Sequence, residues 1–144
     1  MALTDDKPLS LVHMLSNRIS RAFFDEVETR YGVSIAEWRV ILTLVSEPGL
    51  SGSDITNRWA MEKMSVNRAI QRLVDSGNVA RIRDPEDRRS YRLTLTAKGR
   101  KLYEKIAPSA NKRYAELTSA ISGEELEALV ATLRKMIARA EDLN

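Results

Sequence analysis

Residues 84–99 read Asp84-Pro85-Glu86-Asp87-Arg88-Arg89-Ser90-Tyr91-Arg92-Leu93-Thr94-Leu95-Thr96-Ala97-Lys98-Gly99. From Ser90 to Leu95 the residues alternate. Tyr91, Leu93 and Leu95 fall on one face and Ser90, Arg92 and Thr94 on the other, which is the period of a strand. Val79 to Arg83 upstream is short and strand-like as well. Between them, Asp84-Pro85 suits the first two positions of a type I turn. The stretch therefore predicts a β-hairpin. Arg81, Arg83, Arg88, Arg89 and Arg92 put five guanidiniums on it. A narrow arginine-bearing tip suits a DNA minor groove, where negative potential is strongest over A·T-rich sequence. Asp87, two residues before Arg89, is placed to orient that arginine through an ion pair. A surface hairpin with exposed, weak ion pairs is the plainer alternative.

Immediately upstream the period is helical. A helix is expected from about Lys63 to Ser76, closing on Gly77, a common residue just past a helix end. Val66, Ala69, Ile70, Leu73 and Val74 fill one arc of its wheel. Ser65, Asn67, Arg68, Gln71, Arg72 and Asp75 fill the other, with Met64 among them. Arginine pairs with guanine, and asparagine or glutamine with adenine, in the major groove. A shorter helix starts at Ser51 with Asp54 in its first turn, where an acid complements the helix dipole. Ile55 and Trp59 are expected to face inward from it. A tight break at Ala60 to Glu62 separates the two, giving a helix–turn–helix followed by a hairpin.

Charge supports this placement. The chain of 144 residues carries a net charge of only +3. Residues 53–101 hold 12 Lys+Arg against 6 Asp+Glu, while the rest is net negative. A basic middle between acidic ends points to a polyanion partner for the middle.

The flanks read as helices. Leu9, Val12, Leu15, Ile19, Ala22, Phe23 and Val27 recur at helical spacing from Leu9 to Arg30, and Gly32 stops the run. Ser34 with Glu37 reads as a capping box opening a helix with the stripe Ile35, Trp38, Ile41, Leu42 and Val45. Pro48-Gly49 ends it. Thr96 caps a long helix towards Ala120, which Pro108 should kink. Ser122 with Glu125 opens a last helix bearing Leu126, Leu129, Val130, Leu133, Ile137 and Ala140. These terminal stripes exceed what one small DNA-binding lobe needs for its own core. A two-fold dimer is the commonest way to bury such a surplus; an intramolecular bundle is the other.

Several classes are excluded. There is no cysteine, hence no disulfide, thiolate metal site, thiol nucleophile or thiol redox sensor. His13 is the sole histidine, which excludes a His-rich zinc site, and no Ser/His/Asp set is found on convergent elements. No phosphate-cradling Gly-rich loop is present. Glu124-Glu125 lies at a helix start, where capping accounts for it. No apolar run approaches the ~20 residues of a membrane span, and Met1 to Pro8 lacks a signal-peptide core. No enzyme, metal or cofactor is expected, and the location expected is cytoplasmic.

The hairpin stretch, with Asp-x-Arg followed by Leu-Thr and Gly, resembles the wing of the MarR family of bacterial transcriptional regulators. Leu50-Ser-Gly-Ser-Asp-Ile, Ser65-Val-Asn-Arg and Leu73-Val-Asp-Ser-Gly-Asn-Val79 are similar to it as well. The resemblance runs from about Leu9 to Ala140. One departure is Trp59-Ala60, where many relatives carry a small hydrophobic residue and glycine.

The resemblance implies a mainly α fold with a small β-hairpin wing. A winged helix–turn–helix at 34–103 would sit beside a helical dimerisation region formed by 1–33 and 104–144. It implies a homodimer on a palindromic DNA operator, usually a repressor. Ser65, Asn67, Arg68, Gln71 and Arg72 would face the major groove. Asp87, Arg88 and Arg89 would form the wing contact, and Ser51 and Ser53 would lie near phosphates. It also implies a small aromatic carboxylate or phenolic effector, for which His13, Asn17, Trp38 and Arg39 are the candidate contacts. A winged-helix module that contacts protein, without DNA or effector, remains the competing reading.

Overall fold

The computed structural model describes residues 4–143, apart from the Phe24 side chain. The ends of the two expected dimerisation segments, Met1–Leu3 and Asn144, and the start of the Met1–Pro8 stretch therefore lie outside it. The order is α1 (Pro8–Phe23), a π-helical turn (Phe24–Glu28), α2 (Thr29–Tyr31), α3 (Ile35–Ser46), α4 (Gly52–Trp59), α5 (Lys63–Asp75), β1 (Val79–Arg83), β2 (Tyr91–Leu95), α6 (Ala97–Thr118) and α7 (Gly123–Glu141). The fold is thus mainly helical, with one antiparallel hairpin. The chain divides into two compact units, the first ending at Ile106 and the second starting at Ala107.

The continuous helix expected from Leu9 to Arg30 is broken by the π-helical turn at Phe24–Glu28. Such turns insert a residue and shift the face that follows. Val27, within the turn, is buried, whereas α1 before it buries no residue. Gly32 ends the run at φ 66°, the left-handed conformation that favours glycine. Ser34 caps α3, its hydroxyl accepting the Glu37 N–H at 3.1 Å. α6 runs past Pro108 to Thr118. The box at Ser122 and Glu125 opens α7.

The core of the first unit is Val27, Val33, Trp38, Val40, Ile41 and Leu44 of α3 and the segment before it, Ile55 of α4, Val66, Ala69, Ile70 and Leu73 of α5, Val79, Leu93 and Ile106. These are the apolar positions of α5 read from its wheel, except that Val74 is only half-buried. Deleting one such side chain would cost about 2–5 kcal/mol. In the second unit α7 buries none of its residues.

Candidate nucleic-acid interface

The site begins with the cap of α4. Ser51 Oγ accepts the Asp54 N–H at 3.1 Å, and the Ser51 N–H donates to Asp54 Oδ2 at 2.9 Å. This closed capping box satisfies two free ends of the helix at once. Ser51 is thereby half-buried in its cap, while Ser53 stands exposed one turn position on.

The break between α4 and α5 explains the unusual Trp59-Ala60 pair. Ala60 adopts φ 50°, the conformation a glycine would hold without steric cost. Trp59 does not face inward as expected; it stays 38% exposed. It acts as a pin, because its indole N–H donates to Thr43 Oγ1 on α3 at 2.8 Å. The Thr43 hydroxyl donates in turn to the Arg39 carbonyl at 2.7 Å. The Arg39 guanidinium lies 5.3 Å from the Trp59 ring centre and also meets Met61 Sδ at 3.6 Å. A polar indole edge prefers such a half-wet position with a partner for its N–H.

α5 turns Val66, Ala69, Ile70 and Leu73 inward and leaves Met64, Asn67, Arg68, Gln71, Arg72 and Asp75 exposed. Its C-terminus is a Schellman closure: the Asn78 N–H bonds Leu73 O at 2.8 Å and the Gly77 N–H bonds Val74 O at 3.0 Å. Gly77 holds φ 77° there.

The outward residues are not equivalent. In the N-terminal half, Ser65 Oγ donates to Glu62 Oε2 at 3.2 Å and accepts from Arg68 Nη2 at 3.4 Å. Asn67 is exposed beside the start of α4, since a Cβ on Gly52 would stand 3.7 Å from its Oδ1. In the C-terminal half, Gln71 bonds Asp75 at 2.7 Å and Arg81 at 3.0 Å. Arg72 stands 3.7 Å from the buried Glu37 carboxylate of α3. Burial pushes the Glu37 carboxyl above its ordinary value; the Ser34 hydroxyl, the Arg72 charge and the Ser34 N–H pull the other way. Beside this pair opens a cleft of about 490 Å³, with Lys98, Lys101 and Lys105 among its lining residues. Sequence reading did not find this cleft, because its walls come from segments far apart in the chain.

The wing is fixed at both ends. β1 and β2 pair from Val79 opposite Leu95 to Arg83 opposite Tyr91. Leu93 is buried, and its backbone bonds the loop before α4, N–H to Leu50 O at 2.9 Å and O from Gly49 N–H at 2.8 Å. Tyr91, which alternation puts on the same face as Leu93, is exposed, because it lies beyond the core and faces Arg83, 5.8 Å from its ring centre. At the tip Asp84 Oδ1 accepts the Glu86 N–H at 3.0 Å and pairs with Arg92 at 3.4 Å. That backbone N–H, then Arg92, hold the Asp84 carboxyl below its ordinary value. Asp87 meets Arg89 through the backbone, Oδ1 accepting the Arg89 N–H at 3.0 Å. These Asx-type turns shape the tip and leave the Arg88 and Arg89 side chains exposed.

Behind the wing, Thr96 caps α6 by accepting the Gly99 N–H at 3.1 Å. Gly99 is obligatory for packing, since a Cβ there would run into the Asn78 carbonyl oxygen and stand 2.9 Å from its carbon.

The four effector candidates are not all placed alike. His13 and Asn17 are exposed on α1. Trp38 is buried, its ring 6.1 Å from Phe23 and stacked 5.9 Å from Tyr103. Arg39 turns towards Trp59 and Met61. Among the described residues no three His, Cys, Asp or Glu side chains group as metal ligands. No helix among them is long and apolar enough to cross a membrane.

A short capped helix, a tight turn, a helix with a polar outward face and an arginine-tipped hairpin define a winged helix–turn–helix protein. Residues 31–90 match the MarR family model. The chain is 29% identical over 119 residues to the HTH-type transcriptional regulator FarR of Neisseria gonorrhoeae, covering 83% of this chain and 81% of that one. A MarR/EmrR family transcriptional regulator from Acinetobacter sp. ADP1 has the same fold, with TM-score 0.87, 24% identity and coverage of 97% and 99% of the two chains. Bordetella bronchiseptica BpsR, whose structure is described as a mechanism for regulation of its DNA binding by 6-hydroxynicotinic acid, is 26% identical with TM-score 0.81 over 94% of this chain and 96% of that one. The chain is thus similar to MarR-family transcriptional regulators, in sequence over residues 31–90 and in fold over nearly its whole length.

Proposed function

We propose that the protein is a homodimeric repressor that binds a palindromic DNA operator and is released by a small aromatic, anionic ligand. The observation that carries the DNA part is the pairing of two exposed features: the polar face of α5 and, directly after it in the chain, a wing whose Arg88 and Arg89 are free of the core. Ser65, Asn67 and Arg68 sit near the helix end that enters the major groove in helix–turn–helix proteins. Arg89 then takes the minor groove, and Ser53, at the start of α4, a phosphate.

The dimer part rests on apolar side chains left in water. Leu9, Leu15 and Ile19 on α1 and Leu129, Val130 and Ile137 on α7 are exposed. A second copy buries them and sets the two reading helices ~34 Å apart, one turn of DNA. The ligand part rests on BpsR and on the family. His13 and Asn17, four residues apart on α1, share a face open to a ligand. A ligand that prefers the DNA-incompetent state lowers operator affinity, usually by ~1–3 kcal/mol.

The test is selection of bound duplexes from a random pool, then titration of the selected duplex against salt. A palindromic site and a steep fall of log affinity with log salt are expected, near −0.9 per neutralised phosphate. Arg89→Ala should weaken binding at least about tenfold, the loss of ~1.4 kcal/mol that one charge-assisted contact supplies, with fold and mass unchanged. A flat salt response with no selected sequence would instead favour a protein-contact module.

A further inference from the structure

Resting on the DNA-binding reading above, we infer that Gln71 is a positioning residue that braces the wing against the reading helix, and that it does not read a base. A glutamine that recognises adenine uses its amide oxygen and amide N–H together. In this protein both ends are engaged. Nε2 donates to Asp75 Oδ1 at 2.7 Å, and Oε1 accepts from Arg81 Nη1 at 3.0 Å. The amide orientation follows from chemistry: a carboxylate only accepts and a guanidinium only donates. Asp75, four residues on along α5, therefore turns the Gln71 carbonyl towards Arg81.

Arg81 lies on β1, in register with Leu93 of β2. The three side chains thus link the C-terminal half of α5 to the stem of the wing. Hydrogen bonds to charged groups are the stronger kind, so turning Gln71 to a base would break two of them. Arg72, one residue on, is drawn towards Glu37 of α3. The C-terminal half of the outward face is therefore tied to the fold. Base reading falls to the N-terminal half, where Met64, Asn67 and Arg68 are exposed, with the brace setting the angle at which the wing meets the flanking minor groove.

The experiment is duplex selection and affinity measurement with wild type, Gln71→Ala, Gln71→Glu, and Gln71→Glu combined with Asp75→Asn. The double variant exchanges acceptor and amide between the two positions and keeps the net charge. It keeps the acceptor that Gln71→Glu offers Arg81 and restores an amide to hold it in place of a repelling carboxylate. Each single variant is expected to lose about three- to tenfold in affinity. Base preference at every major-groove position should stay as in wild type, and the double variant should return to within about twofold of wild type. A base reader behaves otherwise: Gln71→Ala would flatten preference at one position in each half-site, and the double variant would not recover. That result would overturn the brace alone. Wild type selecting no duplex would overturn the DNA-binding reading and the brace with it.

Discussion

Helices α5 and α7 are both amphipathic and differ in what covers the apolar side. α5 buries Val66, Ala69, Ile70 and Leu73 within its own chain. α7 buries nothing, and Ile137 is 59% exposed. α1, with Leu9 at 59%, behaves like α7. Helical period alone shows that a face must be buried and is silent on whether the cover comes from the same chain. The winged-helix lobe is self-sufficient at α5, whereas α1 and α7 present apolar rows that a second copy completes in the proposed dimer. Rows of exposed large apolar side chains of this kind mark an interaction site.

The largest effect that separates the two regions is loss of core volume. Leu73→Ala should cost about 2–5 kcal/mol of stability, seen in chemical denaturation, with the same loss at every protein concentration. Ile137→Ala should instead act through association. Its melting temperature should fall most in dilute samples, because dimer stability follows mass action. Equal losses at all concentrations for Ile137→Ala would break the contrast.

A smaller effect sharpens the same point within the lobe. Ala60 sits at φ 50° only because the packing of Trp59 and Met61 against α3 fixes the turn. Ala60→Gly should relieve that conformation and raise stability by about 0.5–1 kcal/mol in thermal unfolding, independently of concentration. A loss of stability would mean that Ala60 carries no strain.

The hairpin, the caps at Ser34, Thr96 and Ser122, the helix start at Ser51 and the buried face of α5 were legible in the sequence. Each depends on residues within a turn or two of one another. The inward placing of Trp59 was wrong, because its partners Thr43 and Arg39 lie on another helix. The π-helical turn was missed for a related reason: Phe24–Glu28 continues an apolar period that looks regular along the chain. The polar face of α5 was legible as a face. Its division into an N-terminal half bonded only within the helix and its cap residue and a C-terminal half tethered to α3 and the wing was not, because Glu37 and Arg81 reach Arg72 and Gln71 only after folding. Gly99 belonged to a recognisable motif, but its reason, the Asn78 backbone lying against it, needed the structure.

The central claim is that two copies join through α1 and α7 to present two reading helices to one operator. Sedimentation of the chain, free and with its selected duplex, tests it most directly. Twice the 16.3 kDa chain mass is expected in free solution at micromolar concentration, with two chains per duplex. A single chain in solution, and a single chain on the duplex, would contradict it.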